Sequence, residues 1–203
     1  MTKRELLSAV PFVGDLDEDA LTTLEGHMRL RKFKRGQPIF TEGDPGDSLF
    51  LIASGRVKLF VDNSDGEQLT ILFCDPGTCF GEMAVLDGQP RSASAEALES
   101  TEAWVVPRNA FLDLMRRTPD IAIAVIVFLC SKLRTDLARF AELTFLDTYD
   151  RLGRQLVRMA TKNTSGDYTV QITQEELARL VGSSREQVNR SLAGLSSLGH
   201  VSI

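Results

Sequence analysis

The sequence predicts an α+β protein in which an antiparallel β jelly roll is followed by a long helix and a small helical C-terminal domain. Three observations support this order. Short apolar runs separated by turn residues recur from Met28 to Val106, apolar residues take helical spacing beyond Pro119, and two short amphipathic helices meet at Gly182. With 203 residues, the chain is long enough for two modest domains.

The N-terminal part is predicted to begin with a short helix and to continue as β-strands. Within residues 4–27, Asp15 or Asp17 can cap a helix whose apolar positions are Leu16, Ala20, Leu21 and Leu24. Strands are then predicted at residues 39–40, 49–53, 57–61, 69–73 and 103–106, with turns at 44–46, 53–55, 64–66 and 75–77. The even spacing of short strands is typical of a jelly roll, and Asp65-Gly66 is its clearest hairpin turn.

Helical periodicity takes over beyond Pro107. We expect one helix at residues 109–117 and a long one opened by Pro119, because proline is well tolerated in a first helical turn. Seven positions of the long helix recur at intervals of four and three residues: Ala122, Ile126, Leu129, Leu133, Asp136, Phe140 and Leu143. This seam favours a parallel homodimer over a helix lying against its own barrel. Paired aspartates buried on a two-fold axis would repel, so Asp136 needs a proton, a donor or exposure.

The C-terminal part has the outline of a helix-turn-helix. An amphipathic helix at residues 149–161 and a loop at 163–167 precede a short strand at 168–172. Thr173 then caps a helix, with Glu176 three residues on as in a capping box. Gly182 ends that helix, and Ser183 or Ser184 starts the next.

The second helix of this motif carries side chains suited to reading DNA bases. Val188 and Leu192 can face the domain core, which leaves the polar positions for the major groove. Arginine pairs with guanine, glutamate accepts from cytosine, and Gln or Asn pairs with adenine. The alternative is an ordinary solvated helix face. The candidate DNA-binding residues are Thr173, Gln174, Ser183, Ser184, Arg185, Glu186, Gln187, Asn189 and Arg190.

Charge and cysteine content narrow the class of protein. The net charge is −5, yet residues 151–203 carry seven basic and four acidic side chains, a net +3, which leaves −8 for residues 1–150. The basic end is where a polyanion would bind. Three cysteines without a C-x-x-C motif fit reduced thiols. No export signal is recognisable, and the longest apolar run, residues 121–130, is too short to span a membrane. We expect a cytoplasmic protein.

Residues 80–93 are arranged as a clamp for a ribose phosphate. The forked guanidinium of Arg91 suits a phosphate, and Ser92 adds a donor. Glu82, an acceptor, can hold sugar hydroxyls, while the turn opened by Gly81 exposes backbone N–H groups. The alternative is a barrel turn in which Glu82 and Arg91 pair as a surface salt bridge.

This segment resembles the phosphate-binding cassette of cyclic-nucleotide-binding domains, F-G-E-x-A/G-L followed by R-S/T/A-A. The resemblance implies that Glu82 binds the ribose 2′-hydroxyl, Arg91 the cyclic phosphate with help from Ser92, and that Gly81 and Ala84 contribute backbone. Met83, between them, is included among the candidate ligand-binding residues. Cassette, long helix and C-terminal unit together resemble the CRP/FNR superfamily of bacterial transcription regulators over essentially the whole chain.

The superfamily resemblance implies three parts and a DNA site. These are a cyclic-nucleotide-binding-like jelly roll (1–118), a dimerisation helix and hinge (119–147), and a winged helix-turn-helix domain (148–203). Ser184-Arg185-Glu186 with Arg190 matches the S-R-E-x-x-x-R recognition helix of members that read TGTGA-like half-sites. Gln187 replaces a frequent threonine or serine. Residues 199–203 look like the first strand of the wing; whether the chain is naturally short or truncated stays open.

The base of the expected ligand is not assigned by the sequence. In the cyclic-AMP receptor type, a Thr-Ser pair on the long helix contacts adenine, and those positions are Asp136 and Leu137 here, with Thr135 one step earlier. Cyclic AMP is the expected ligand, and Thr135 and Asp136 are candidate contacts. Leu137 makes no polar contact, and Asp136 would bring a negative charge near an anion.

The expected partners are double-stranded DNA, a second copy of the chain and RNA polymerase, without a membrane. Two alternatives remain, a ligand-independent regulator with a vestigial clamp and a cyclic-nucleotide sensor that does not bind DNA. The chain has three cysteines and two histidines, His27 and His200, which are too few ligands to favour an iron–sulfur cluster, haem or a metal site. We expect no enzymatic activity, because no nucleophile or metal cluster is recognisable.

Overall fold

The structure is a computed structural model that describes residues 2–13 and 17–202. The chain forms two compact units, one comprising residues 1–61 and 71–132 and the other residues 62–70 and 133–203. Each unit has its own hydrophobic core.

Two short helices begin the first unit. Helix α1 spans Lys3–Ala9 and starts with a capping box between Thr2 and Glu5. Helix α2 spans Glu18–His27, and the side chain of Asp17 accepts a hydrogen bond from the backbone N–H of Ala20. Asp17 is therefore the cap of α2. Asp15 and Leu16 lie outside the described residues.

Among the described residues, eight strands of the N-terminal part form two four-stranded sheets with mostly antiparallel pairing, which confirms the predicted jelly roll. The strands are β1 (Arg29–Phe33), β2 (Pro38–Phe40), β3 (Ser48–Ser54), β4 (Val57–Asp62), β5 (Gln68–Cys74), β6 (Cys79–Phe80), β7 (Ser94–Ala97) and β8 (Thr101–Pro107). One sheet has the order β1-β8-β3-β6 and the other β2-β7-β4-β5. Strands β1, β6 and β7 were not predicted, because β1 alternates charge with few apolar residues and the other two are short.

The cores of the first unit lie between the sheets and beneath the helices. Aromatic side chains fill the space between the sheets, with the rings of Phe50 and Phe80 stacked at 5.2 Å. Helix α4 (Arg108–Arg117) buries Phe111, and the first turns of α5 (Pro119–Phe145) bury Ile121 and Val125. Val85 of the predicted cassette packs in the same core as Phe111, Ile121 and Val125.

Cys74 and Cys79 are buried thiols of this core. Burial raises the pKa of the Cys74 thiol to about 12 and that of Cys79 well above its usual value. Because the thiolate is the reactive form, both side chains act as small buried hydrophobes.

The second unit contains the predicted helix-turn-helix. Helix α6 spans Thr148–Met159, α7 spans Gln174–Val181 and α8 spans Arg185–Ser197. Leu152, Leu177, Val181, Val188, Leu192 and Leu195 form their shared core. A two-stranded antiparallel sheet, β9 (Thr161–Lys162) with β10 (Tyr168–Thr169), joins α6 to α7, so the strand predicted at 168–172 is only two residues long.

The predicted wing strand after α8 is not formed over the residues that the structure describes. Residues 199–202 have no strand pairing, and Ile203 lies outside the described part. The small β-sheet of this unit precedes the helix-turn-helix instead. None of the described helices is long and apolar enough to cross a bilayer.

Candidate ligand site and DNA interface

The cassette begins at a turn that only glycine accommodates well. Gly81 follows β6 and has a φ of 80°, in the left-handed region, where it precedes helix α3 (Glu82–Asp87). A Cβ atom at this position would lie 2.6 Å from Nη1 of Arg91. The turn therefore needs glycine both for its backbone conformation and for the approach of the guanidinium.

Arg91 is held beneath this turn with part of its hydrogen-bonding capacity unused. Its side chain is 4% exposed, and it donates from Nη1 to the carbonyl of Gly81 at 2.8 Å and from Nη2 to that of Ser48 at 2.7 Å. The guanidinium also lies 4.3 Å from the ring centre of Phe40. Its Nε is buried and has no hydrogen-bond partner in the described structure.

The charge of Arg91 is only partly compensated by the protein. Burial lowers the pKa of the guanidinium, and the carboxylates of Asp47, Asp44 and Glu82 offset part of that effect. Arginine nevertheless stays protonated at neutral pH. A buried cation with an unpartnered N–H is a site that an anionic ligand would stabilise.

Glu82 pairs with Lys132 and not with Arg91. The carboxylate is 4% exposed, and its Oε1 accepts a hydrogen bond of 2.7 Å from Nζ of Lys132 on α5. Burial lowers the pKa of Lys132, but the charge of Glu82 and this hydrogen bond outweigh it, so the pKa is raised overall. The alternative of a surface Glu82–Arg91 salt bridge is wrong, because both groups are buried and contact different partners.

The remaining cassette side chains divide into an exposed and a buried set. Ser92 and Met83 are exposed, with the hydroxyl of Ser92 3.7 Å from the sulfur of Met83. Ala84 is buried and faces the close backbone approach of Gly46. The structure thus brings a buried acceptor, a buried forked donor and an exposed hydroxyl to one turn, which fits a ribose phosphate.

The other two candidate ligand residues lie on the long helix in the second unit. Thr135 and Asp136 are both exposed on α5. Exposure avoids the cost of burying the Asp136 carboxylate. Their assignment to the ligand stays a prediction.

Much of α5 presents an exposed apolar face. Ile126, Leu133 and Phe140 are 59%, 60% and 69% exposed, and Leu143 is 48% exposed. Ala122 and Leu129 are partly buried in the first unit. The exposed stretch of the seam is the surface that a second copy would cover.

The helix-turn-helix is held by the caps that the sequence predicts. Thr173 and Glu176 form a reciprocal capping box at α7, and Gly182 ends that helix in the left-handed conformation with a φ of 63°. Ser184 is the N-cap of α8, accepting from the backbone N–H of Gln187. Gln174, the first residue of α7, is partly buried.

The polar residues of α8 are not equally available to DNA. Arg185, Glu186 and Arg190 are exposed and form no ion pair among the described residues, while Val188 is fully buried below them. The side chain of Gln187 accepts a hydrogen bond from the hydroxyl of Ser183. Asn189 is partly buried, and its Oδ1 is enclosed without a hydrogen-bond partner among the described residues, so Arg185, Glu186 and Arg190 are more accessible than Asn189.

Two positioning residues were not predicted from the sequence. Lys132 holds Glu82, and Arg151 donates to the carbonyls of Leu146 and Val181 at 2.7 and 3.0 Å, tying α6 to the turn before α8. Neither belongs to a motif. The available signal for Lys132 was a lysine two residues after the apolar run 121–130.

Two family models match this chain. Residues 30–118 match the cyclic nucleotide-binding domain, and residues 150–203 match the Crp-like helix-turn-helix domain. Fold and site together define a DNA-binding transcription regulator with a cyclic nucleotide-binding domain. The class is non-enzymatic.

Curated relatives identify the family. The chain is 31% identical over 202 residues to the CRP-like cAMP-activated global transcriptional regulator of Mycobacterium tuberculosis, covering 97% of this chain and 90% of the relative. It is 37% identical over 175 residues to the cyclic AMP receptor protein of Thermus thermophilus, covering 86% and 80%. The protein belongs to the CRP/FNR family of transcription regulators.

Solved structures agree with this assignment. The Thermus thermophilus catabolite activator protein is similar with a TM-score of 0.60 at 33% identity, over 95% of this chain and 90% of that one. The c-di-GMP responsive global regulator CLP of Xanthomonas campestris has a TM-score of 0.77 at 25% identity, covering 90% and 93%.

Proposed function

We propose that this protein is a homodimeric transcription regulator that binds cyclic AMP at the cassette and TGTGA-like palindromic half-sites through α8. The observation that best supports binding of an anionic nucleotide is the buried guanidinium of Arg91. Its Nε has no hydrogen-bond partner among the described residues and lies beside the left-handed turn at Gly81. The relatives in Mycobacterium tuberculosis and Thermus thermophilus are named for cyclic AMP, which supports the same choice.

Each cassette residue has a role in this proposal. Arg91 and Ser92 donate to the cyclic phosphate, and Glu82 accepts from the ribose 2′-hydroxyl. Lys132 holds Glu82 in position, since its Nζ already binds one carboxylate oxygen and leaves the other for the sugar. The base is assigned to the region of Thr135 and Asp136 on α5, where the carboxylate of Asp136 would accept from an adenine amino group.

The switch follows from binding to one form of the dimer. The chain divides into an effector domain (1–118), a dimerisation helix with its hinge (119–147) and a DNA-binding domain (148–203). The exposed seam of α5 pairs two copies of the chain. Ligand that binds the dimer form with recognition helices one DNA turn, about 34 Å, apart shifts the population toward that form. We place this regulator in the cytoplasm, with RNA polymerase as its further partner.

Base reading is assigned to three side chains of α8. Arg185 and Arg190 suit guanine O6 and N7, and Glu186 accepts from cytosine N4. Their exposure, with Val188 buried on the opposite face, supports this orientation. Gln187 is hydrogen-bonded to Ser183, so the base pair next to these contacts is not assigned to it.

Selection of DNA sites by the purified protein tests the proposal directly. The selection is run without nucleotide, with cyclic AMP and with cyclic GMP. The expected result is a palindrome with TGTGA-like halves, enriched only with cyclic AMP. Equal enrichment without nucleotide would instead establish a ligand-independent regulator with a vestigial clamp, and the absence of any enriched sequence would contradict the proposed base reading by α8.

A further inference from the structure

The amide of Gln187 is held through its oxygen and not through its nitrogen. Gln187 is the third residue of α8 and is exposed, and its Oε1 accepts a hydrogen bond from the hydroxyl of Ser183. Its Nε2 takes no hydrogen bond from the residues that the structure describes. The acceptor end of this amide is therefore occupied, and its N–H donors remain available to a ligand.

Two further side chains determine which end of the amide faces Ser183. The hydroxyl of Thr148, the first residue of α6, lies 3.1 Å from that of Ser183, and Nη2 of Arg151 lies 3.5 Å from Oγ1 of Thr148. Arginine can only donate, and each hydroxyl has a single hydrogen. When Arg151 donates to Thr148, Thr148 to Ser183 and Ser183 to Gln187, each of these hydroxyl hydrogens has an acceptor.

The opposite orientation of the amide uses these groups less fully. If Nε2 of Gln187 faced Ser183, the Ser183 hydroxyl would donate to Thr148, and the Thr148 hydrogen would have no acceptor among the described residues. We call Arg151, Thr148, Ser183 and Gln187 the hydroxyl relay. All four lie in the second unit. The hydroxyl relay therefore directs the oxygen of Gln187 toward the turn between α7 and α8.

The turn between α7 and α8 has other contacts to hold it. Ser184 caps α8, and Arg151 donates directly to the carbonyl of Val181 at 3.0 Å. A hydrogen bond between exposed side chains adds little to stability, because water replaces it in the unfolded chain. The bond between Ser183 and Gln187 has a larger effect on which polar atoms α8 presents to solvent.

Gln187 lies on the face of α8 that is available to DNA. Residues three apart are neighbours on a helix surface, so Gln187 lies beside Arg190, and both side chains are exposed. Val188 and Leu192 are buried in the core of the second unit. The free N–H donors of Gln187 therefore share a face with Arg190, to which we assign base reading.

We propose that Gln187 selects a base with a keto oxygen, guanine or thymine, through its amide N–H donors alone. The inference rests on the DNA-binding function proposed above and goes beyond the three readers named there. Glutamine ordinarily pairs with adenine, because its oxygen accepts from N6 while its nitrogen donates to N7. Both amide atoms must face the base edge for that pair, and an oxygen directed at Ser183 excludes it.

The chemistry of the base edges gives the direction of the preference. In the major groove guanine presents acceptors at O6 and N7, and thymine presents an acceptor at O4. Adenine and cytosine each present an amino donor, which an amide N–H cannot pair with. Ser183 is then a positioning residue, because it acts on the DNA through Gln187.

Site selection with the full chain and cyclic AMP tests this inference. Gln187→Ala identifies the base pair concerned, since selection relaxes only where a base contact is lost. Ser183→Ala releases the amide oxygen, whereas Ser183→Thr keeps a hydroxyl. Ser196→Ala is the control, because it removes an exposed hydroxyl near the other end of α8. Thermal denaturation of each variant verifies that it is folded.

We expect Gln187→Ala to relax selection at one base pair of each half-site. At that base pair the wild type and Ser196→Ala should prefer guanine or thymine over adenine by about tenfold, the effect of one hydrogen bond. Ser183→Ala should lose this discrimination against adenine, and Ser183→Thr should restore it. A purely structural role of Ser183 would weaken binding to all sequences alike and would not change which base is selected.

Four results would overturn the inference while the readers Arg185, Glu186 and Arg190 stand. A wild-type preference for adenine at the relaxed base pair would show that Gln187 uses both amide atoms. Uniform weakening by Gln187→Ala would show a phosphate contact, and no change would show that Gln187 does not contact DNA. Undiminished discrimination in Ser183→Ala would show that the hydroxyl relay does not set the preference.

A separate outcome concerns the proposed function itself. If the wild type enriches no sequence, base reading by α8 is contradicted, and the role of Gln187 fails with it.

Discussion

The carboxylate of Glu82 and the ammonium of Lys132 form a partly buried ion pair with Nζ and Oε1 2.7 Å apart. Glu82 is 4% exposed and begins α3, whereas Lys132 lies fifty residues later on α5. Glu82, which we propose binds the sugar, is thus attached directly to the helix that carries the predicted dimer seam. This link gives ligand binding a physical route to α5.

Replacing Lys132 by Met is expected to destabilise the first unit by about 1–3 kcal/mol, because a buried carboxylate is left unpaired. The value lies below that of a fully buried pair, since a third of the Lys132 side chain is exposed. Urea denaturation measures the change. Arg134→Met, on an exposed position of the same helix, is the control and should have little effect.

The difference in stability between wild type and Lys132→Met should depend on pH because the pKa of Lys132 is raised in the folded protein. A lysine whose pKa is higher in the folded state stabilises the protein fully below its unfolded value and loses that contribution as pH rises through the folded value. That value lies above the usual 10.5. The stability gap between wild type and Lys132→Met should therefore stay constant through neutral and mildly alkaline pH. A stability gap that narrows between neutral pH and pH 10.5 would contradict the ion pair.

Removal of the Ser92 hydroxyl should weaken cyclic AMP binding without lowering the stability of the fold. Its hydroxyl is exposed, and its hydrogen-bond partner among the described residues is the sulfur of Met83, so Ser92→Ala should leave stability unchanged. Loss of one hydrogen bond to a charged phosphate, about 1.5 kcal/mol, weakens cyclic AMP binding by roughly tenfold. Titration calorimetry measures it.

Arg91→Lys provides the stronger form of that experiment. Lysine keeps the charge but lacks the planar fork, so it cannot bind Gly81, Ser48 and a phosphate at once. We expect nucleotide-dependent DNA binding to disappear while the dimer persists in sedimentation. Full activation of Arg91→Lys by cyclic AMP would exclude the proposed phosphate site.

Gly81→Ala and Gly66→Ala form a matched pair. Both glycines have φ near 80°, so each alanine costs ~1–2 kcal/mol of backbone strain. A Cβ at Gly66 meets nothing within 4 Å, whereas one at Gly81 would displace the guanidinium of Arg91. Only Gly81→Ala should lose cyclic AMP binding, as measured by calorimetry alongside denaturation. Equal ligand affinity in both variants would show that the position of Arg91 does not matter.

Sequence patterns were sufficient to predict turns and helix ends where local chemistry determines the backbone conformation. Asp65-Gly66, Pro119, Thr173 with Glu176, and Gly182 each mark a backbone position that few residues can occupy, and the structure places a turn or helix end at all of them. The cassette could be predicted for the same reason, because Gly81, Glu82 and Arg91 form a spaced motif.

Features that depend on tertiary contacts could not be predicted this way. Three of the five residues of β1 are basic, and this strand pairs with β8 through the fold, as Lys132 meets Glu82. Asn189 was predicted as a base reader from its residue type, but the packing of α8 encloses its Oδ1. Periodicity identifies which face of a helix is polar and does not show how far each side chain is covered.

The seam on α5 predicts opposite results for two exposed phenylalanines. Phe140 belongs to the heptad positions and Phe145 does not, although they are 69% and 83% exposed. Phe140→Ser should shift the dimer toward monomer in analytical ultracentrifugation, because it removes an apolar contact across the two-fold axis. Phe145→Ser is the control, and equal dissociation of the two variants would place the interface elsewhere.

Arg185 and Lys162 separate base reading from general attraction to DNA. Arg185→Ala should cost about 1–3 kcal/mol for the preferred site and relax selection at one base pair, because a bidentate contact to guanine is lost. Lys162, exposed on β9, is a cation outside the recognition helix. If it contacts a phosphate, Lys162→Ala lowers the affinity for all DNA sequences equally and lowers the slope of log affinity against log salt by about one.

Binding measurements on the selected site and on variants with one changed base pair distinguish the two cases. Uniform weakening by Arg185→Ala would contradict its role as a reader, since only a base contact discriminates between sequences.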